Sequence, residues 1–103
     1  MGSSGSAGSA SLIVRWSRAA EKSFGDTLRR IHQQDPGTSQ LILQRVHRAL
    51  AVLVIQPGVG TPIPGTHIRR FVIPRTGHYI DYRVVDGELL ISKWMRQTRK
   101  RKN

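Results

Sequence analysis

Leu12, Val14 and Trp16 alternate with Ile13 and Arg15, the two-residue period of a short strand. Ser17 follows as a helix N-cap, with Glu21 in the first turn, where the helix dipole favours an anion. Ala20, Phe24, Leu28 and Ile31 then recur at helical spacing and predict an amphipathic helix, with Lys22, Arg29 and Arg30 off its apolar face. Asp35-Pro36-Gly37 ends that helix, because proline disfavours helical geometry at the residue before it. Thr38 or Ser39 is expected to cap a second helix, whose stripe is Ile42, Val46, Ala49, Leu50 and Leu53. Its last turns, Ala51 to Ile55, are apolar nearly all round and are expected to be deeply buried. So short a link makes the two helices an antiparallel hairpin.

Residues 57–66, PGVGTPIPGT, read as a connection. Three strand-like runs follow: Ile68 to Arg75, His78 to Val85 and Glu88 to Met95. Thr76-Gly77 separates the first two, and Asp86-Gly87, a strong type I′ hairpin signal, the last two. Ile80, Tyr82 and Val84 alternate with Tyr79, Asp81 and Arg83, so Asp81 is expected on a polar face. The predicted fold class is α+β: a strand, a two-helix hairpin and a three-stranded meander forming a twisted antiparallel sheet with the hairpin on one face.

Length allows one domain. Met1 to Ala10, all Gly, Ser and Ala after Met, read as a disordered expression leader; residues 11–97 are the domain; residues 98–103 are a basic tail. There is no cysteine, which excludes disulfides, thiolate zinc sites and a Cys nucleophile. No apolar run nears the roughly 20 residues that span a bilayer.

Charge changes the picture most. Seventeen Lys and Arg against six Asp and Glu give +11, and thirteen of the cations are Arg. Such a chain attracts nucleic acid, a membrane surface or an acidic protein, and Arg suits bidentate pairing with phosphate or carboxylate. Arg69, Arg70, Arg75, Arg83, Lys93 and Arg96 fall on the strands and share one sheet. That face is either simply solvated or an anion-binding surface. Arg99-Lys100-Arg101-Lys102 reads as a binding surface, solvating disorder or a localisation-like patch. Gly58-Val59-Gly60 with Gly65 follows a helix, not a strand, and reads as a connector rather than a phosphate loop. His32, His47, His67 and His78 lack ligand spacing, so no metal is expected, and no acid/base couple or Ser/His/Asp set stands out.

Ile73-Pro74-Arg75-Thr76, Tyr82-Arg83-Val84, Asp86-Gly87 and Arg96-Gln97, in this order, resemble the C-terminal half of the ParE/RelE superfamily of bacterial type II toxins. LIVRWSRAAEKSF resembles that family's first strand and helix start, so the resemblance runs from Leu12 to about Gln97. It implies a cytoplasmic bacterial toxin held by an acidic antitoxin, with no cofactor. RelE-like members are ribosome-dependent mRNA nucleases; ParE-like members poison DNA gyrase. The nuclease branch's paired strand lysines fall on Arg70 and Val72, and its next arginine on Tyr79. Valine carries no charge and tyrosine no cation, so the ParE branch is favoured and no catalytic residue is expected; in the nuclease reading the candidates are Arg70, Arg83 and Arg99. The resemblance suggests Arg75, Trp94, Arg96 and Arg99 to Lys102 against the target, and Arg69, Arg70 and Arg83 against the antitoxin. Many ParE members end in Trp-Pro, where this chain runs TRKRKN.

Overall fold

The structure, a computed structural model, describes residues 12–97. The leader and the tail residues Arg99, Lys100, Arg101 and Lys102 lie outside the described residues. Strand β1 (Ile13–Trp16) leads into helix α1 (Arg18–Gln34) and helix α2 (Pro36–Leu53). A single 3-10 turn at Pro57–Val59 precedes β2 (Thr61–Pro62), β3 (Arg69–Ile73), β4 (His78–Val85) and β5 (Glu88–Arg96). The sheet order is β1-β5-β4-β3-β2, and the hairpin covers one face. Every pairing is antiparallel except β1 with β5, which is parallel. The expected meander is therefore present, widened by an N-terminal strand on one edge and a two-residue strand from the supposed connector on the other.

Ser17 caps α1 as expected, its hydroxyl accepting from Ala20 N at 3.1 Å. The second cap is not Thr38 or Ser39. Asp35 closes α1, donating its N–H to Ile31 O at 2.7 Å, and opens α2, accepting from Gly37 N at 3.1 Å. Pro36 then occupies the first helical position, where its missing N–H costs nothing. Thr38 supports the cap by donating its hydroxyl to Asp35 at 2.8 Å, and this holds the Asp35 carboxyl below the usual carboxylate range.

Ile42, Val46, Ala49, Leu50 and Leu53 of α2 meet Ile73, Ile80, Tyr82, Leu89, Ile91 and Trp94 of the sheet in one core. Trp16, Phe24 and Leu28 pack at its margin. The expected deep burial of Ala51 to Ile55 holds at Leu53, which is fully buried, and fails around it: Val52 is 47% and Ile55 67% exposed. With one helical layer, only the stripe facing the sheet has a partner, and Val52 and Ile55 lie off that stripe.

A β-bulge sets the faces of the central strands. Asp81 pairs with Lys93 but Tyr82 pairs with Ile91, so Ser92 is the extra residue. Its hydroxyl donates to Asp81 O at 3.1 Å. The bulge lets Leu89, Ile91 and Trp94 all face the helices, although the last two are three positions apart. The Asp86-Gly87 turn adopts positive φ at both residues (49° and 76°), as a type I′ hairpin requires.

Tyr82 ties the connection to the core. Its hydroxyl donates to Pro57 O at 2.6 Å and accepts from Gly60 N at 3.0 Å, and burial pushes its pKa up. A Cβ on Gly60 would collide with the Tyr82 hydroxyl and lie 2.8 Å from its ring. Gly60→Ala should therefore cost about 1–3 kcal/mol, as overpacking does. Urea melts would measure it, and an unchanged midpoint would show that the connection is not held by Tyr82.

Candidate functional site

The sheet face away from the helices carries the residues nearest to a nuclease site. Arg70 on β3 pairs with Asp81 on β4 through two hydrogen bonds, Nε to Oδ1 at 2.9 Å and Nη2 to Oδ2 at 3.3 Å. Its guanidinium also lies over the Tyr79 ring, 4.2 Å from the centroid. The hydrogen bond to Asp81 raises the Arg70 pKa further above its already high ordinary value. Asp81 is not the solvated strand residue expected: it is 4% exposed. Val72 beside Tyr79 is exposed and apolar. Arg70 is thus a paired, fully protonated cation. It cannot accept a proton, and its charge is already matched.

The other expected antitoxin contacts divide. Arg69 donates to Gly58 O at 3.2 Å and Gly60 O at 2.8 Å, so it holds the connection in place. Arg83 is exposed on β4 and forms no ion pair among the described residues.

Of the expected target contacts, Trp94 is corrected. It is 3% exposed and its indole N–H donates to the Thr27 hydroxyl at 3.1 Å. Its ring meets Phe24 edge-on at 4.6 Å and stacks on His78 at 4.8 Å, while Phe24 stacks on Trp16 at 4.9 Å. Four rings therefore line up between α1 and β5. Trp94 is core because the bulge at Ser92 turns it inward, which alternation read from the sequence does not show.

Arg75 and Arg96 are exposed, at one end of the sheet. Arg75 sits in the β3–β4 turn with φ 61°, a left-handed conformation unusual for a side-chain-bearing residue. Arg45 of α2 donates to its carbonyl at 3.2 Å. Arg96 pairs across the sheet with His78, and Gln97 N donates to Gly77 O at 2.7 Å, so β5 ends beside this turn. Arg30 lies on the same side of the molecule, one helical turn beyond Thr27 of α1, whose hydroxyl accepts from Trp94 two residues before Arg96. Arg30, Arg45 and Arg48 were not singled out from the sequence. Their only signal was a basic residue just off a helix's apolar stripe.

His78 is the buried titratable group at this end. Its Nδ1 donates to Thr76 O at 2.9 Å, which leaves Nε2 as an acceptor; that atom is buried and has no partner among the described residues. Burial lowers its pKa below the ordinary 6.5, the nearby Arg96 and Arg30 lower it further, and the Thr76 bond opposes them. The unfolded chain thus binds a proton that the folded chain refuses, so stability rises with pH across this window. The contribution should be complete above about pH 6.5 and fall away as the pH drops below it. Denaturant melts between pH 7.5 and 5 would show this slope, and His78→Gln should flatten it. An identical slope in the variant would remove His78 as the source.

Among the described residues no three His, Cys, Asp or Glu cluster to hold a metal, and no helix is long and apolar enough to cross a membrane.

A two-helix hairpin thus lies on one face of a small, mostly antiparallel sheet, with arginines at the β3–β4 turn and at the end of β5. The family model for the ParE toxin of the type II toxin–antitoxin system parDE matches residues 14–96. The chain belongs to this ParE toxin family. A solved chain from a chromosomal ParDE toxin–antitoxin system of P. aeruginosa has the same fold, with a TM-score of 0.72 at 19% identity over 87% of this chain and 100% of that one. None of the curated proteins matches the chain in sequence.

Proposed function

We propose that this protein inhibits bacterial growth by poisoning DNA gyrase, and that an acidic cognate antitoxin holds it inactive in the cytoplasm. One observation carries the choice of gyrase over mRNA. Arg70, the only cation where the nuclease branch has its strand pair, is bound by Asp81 and stacked on Tyr79. RNA cleavage through the 2′-hydroxyl needs a group that takes a proton and free charge at the phosphate. Neither is offered by Arg70, Val72 and Tyr79. Trapping gyrase on DNA needs only a surface, for which Arg75, Arg96 and residues 99–102 are the candidates.

The antitoxin reading is supported by a groove between α2 and β3. The groove, about 490 Å³, has Ala49, Val52, Phe71 and Pro74 as an apolar floor and Arg45, Arg48 and Arg75 at its rim. β2 pairs only with Arg69 and Arg70, so the outer edge of Phe71 to Ile73 has no strand partner among the described residues. A free edge beside an apolar, cation-rimmed groove suits an extended acidic segment with an apolar anchor. Arg83 remains a candidate contact; Arg69 and Arg70 are already engaged.

Purified protein should inhibit supercoiling by gyrase or stabilise its cleaved complex, while mRNA on translating ribosomes stays intact. Removing residues 99–103 should weaken inhibition without unfolding the domain, because they follow the last strand. Codon-positioned mRNA cuts that vanish in Arg70→Ala, with gyrase unaffected, would replace this reading with a RelE-like nuclease.

A further inference from the structure

We propose that the end of the molecule formed by the β3–β4 turn, the end of β5 and the facing part of α1 is a binding site for the phosphate backbone of duplex DNA, used without gyrase. The contacts are Arg30, Arg75 and Arg96, with Arg45 as the positioning residue that holds the Arg75 carbonyl.

Three independent observations meet there. The first is charge polarity. The four ion pairs of the described residues are Arg15–Glu88, Lys22–Asp26, Arg29–Asp26 and Arg70–Asp81, and none involves Arg30, Arg75 or Arg96. Asp86 and Glu88 lie at the opposite end of the sheet, in and after the β4–β5 turn. Arg18, Arg48 and Arg83 are exposed and outside these pairs as well, so what sets this end apart is that Arg75 and Arg96 close it together while the acidic turn of the sheet lies at the other end. Gln97, the last described residue, lies at this same end, its N–H bonded to Gly77 O.

The second is the backbone at Arg75. A left-handed φ of 61° is costly for arginine and easy for glycine. Folding alone would favour glycine there, yet the position carries an exposed guanidinium at the apex of a turn. An observed strained position of this kind points to a functional demand on the side chain.

The third selects the nucleic acid. None of the six aromatic residues of the chain is exposed. Single-strand binders stack bases on exposed aromatic rings. Arginines without such rings grip phosphates, and a duplex displays these densely and without need of stacking. Binding should therefore be insensitive to base sequence and steeply dependent on salt.

The test uses the full chain and a labelled random-sequence duplex of about 20 base pairs, read by fluorescence anisotropy across a salt series. The variant Arg30→Gln/Arg75→Gly/Arg96→Gln should bind at least about tenfold more weakly, with the salt slope smaller by about one per arginine lost. The control Arg18→Gln/Lys22→Gln/Lys93→Gln removes the same charge elsewhere and should stay within about twofold. Arg75→Gly alone should melt at the same or a higher temperature and still bind more weakly, which separates binding from folding. Equal losses in the two triple variants would make binding a matter of net charge and overturn the site. So would undiminished affinity in Arg75→Gly. Tighter binding of single-stranded RNA than of duplex would overturn the choice of nucleic acid. Polyglutamate binding as tightly as the duplex would assign the patch to an acidic protein instead. Gyrase is absent from every arm, so a failed gyrase assay leaves this result standing and the reverse also holds.

Discussion

Trp94→Ala should destabilise the fold by about 3–5 kcal/mol, the range for removing a large buried aromatic side chain. The indole lies between Phe24 and His78 and donates to Thr27. Its loss opens a cavity between α1 and β5, removes two ring contacts and strands the buried Thr27 hydroxyl. A small domain has about 5–15 kcal/mol of net stability, so this one change takes a large fraction of it. Trp94→Phe keeps a ring in the stack and loses the hydrogen bond, and should cost about 1–2 kcal/mol. Denaturant melts would rank the two. The pair also separates core from contact: Trp94→Phe should inhibit gyrase as the parent does at temperatures where both are folded. A loss below about 1 kcal/mol for Trp94→Ala would contradict the interior position.

The ion pair on the open face should respond asymmetrically. Arg70→Ala leaves the Asp81 carboxylate buried without its cation, and should cost about 2–3 kcal/mol, discounted from the fully buried case because Arg70 is half-exposed. Asp81→Ala frees a guanidinium that water and the Tyr79 ring can still accommodate, and should cost about 1 kcal/mol. Urea melts of both variants would measure the order. A larger loss in Asp81→Ala would mean that the carboxylate supports the sheet through something other than Arg70.

The helices, the meander and the family could be read without coordinates because their signals are local. Ala20, Phe24, Leu28 and Ile31 state a period within one helix, and Ser17 and Glu21 mark where it begins. Asp86-Gly87 needs only its own two positive φ angles to make a hairpin. Ile73-Pro74-Arg75-Thr76 and Tyr82-Arg83-Val84 are contiguous and need no folding to be recognised. Even the error at Asp35 was local: Thr38 or Ser39 was expected to cap α2, but Asp35 can close one helix and open the next, and Pro36 favours that choice.

What tertiary structure alone decided involves residues far apart in the chain. β1 had no sequence signal for a parallel partner; it lies beside β5 because Ile13 pairs with Glu88 and Leu12 N donates to Val54 O. The bulge at Ser92 depends on the register of β5 against β4, and that register sends Trp94 inward. Arg70 and Asp81 become a pair, rather than two polar strand positions, only when β3 docks on β4. Val52 and Ile55 are exposed because the fold supplies one helical layer and no second surface to cover them. The grouping of arginines near the β3–β4 turn is the same kind of result. Arg30, Arg45, Arg75 and Arg96 come from both helices, a turn and the last strand, and periodicity within any one element says nothing about which charges from separate elements will share an end. Composition set the sign and size of the charge, but only packing could separate the cations bound by Asp26, Asp81 and Glu88 from those left for a partner.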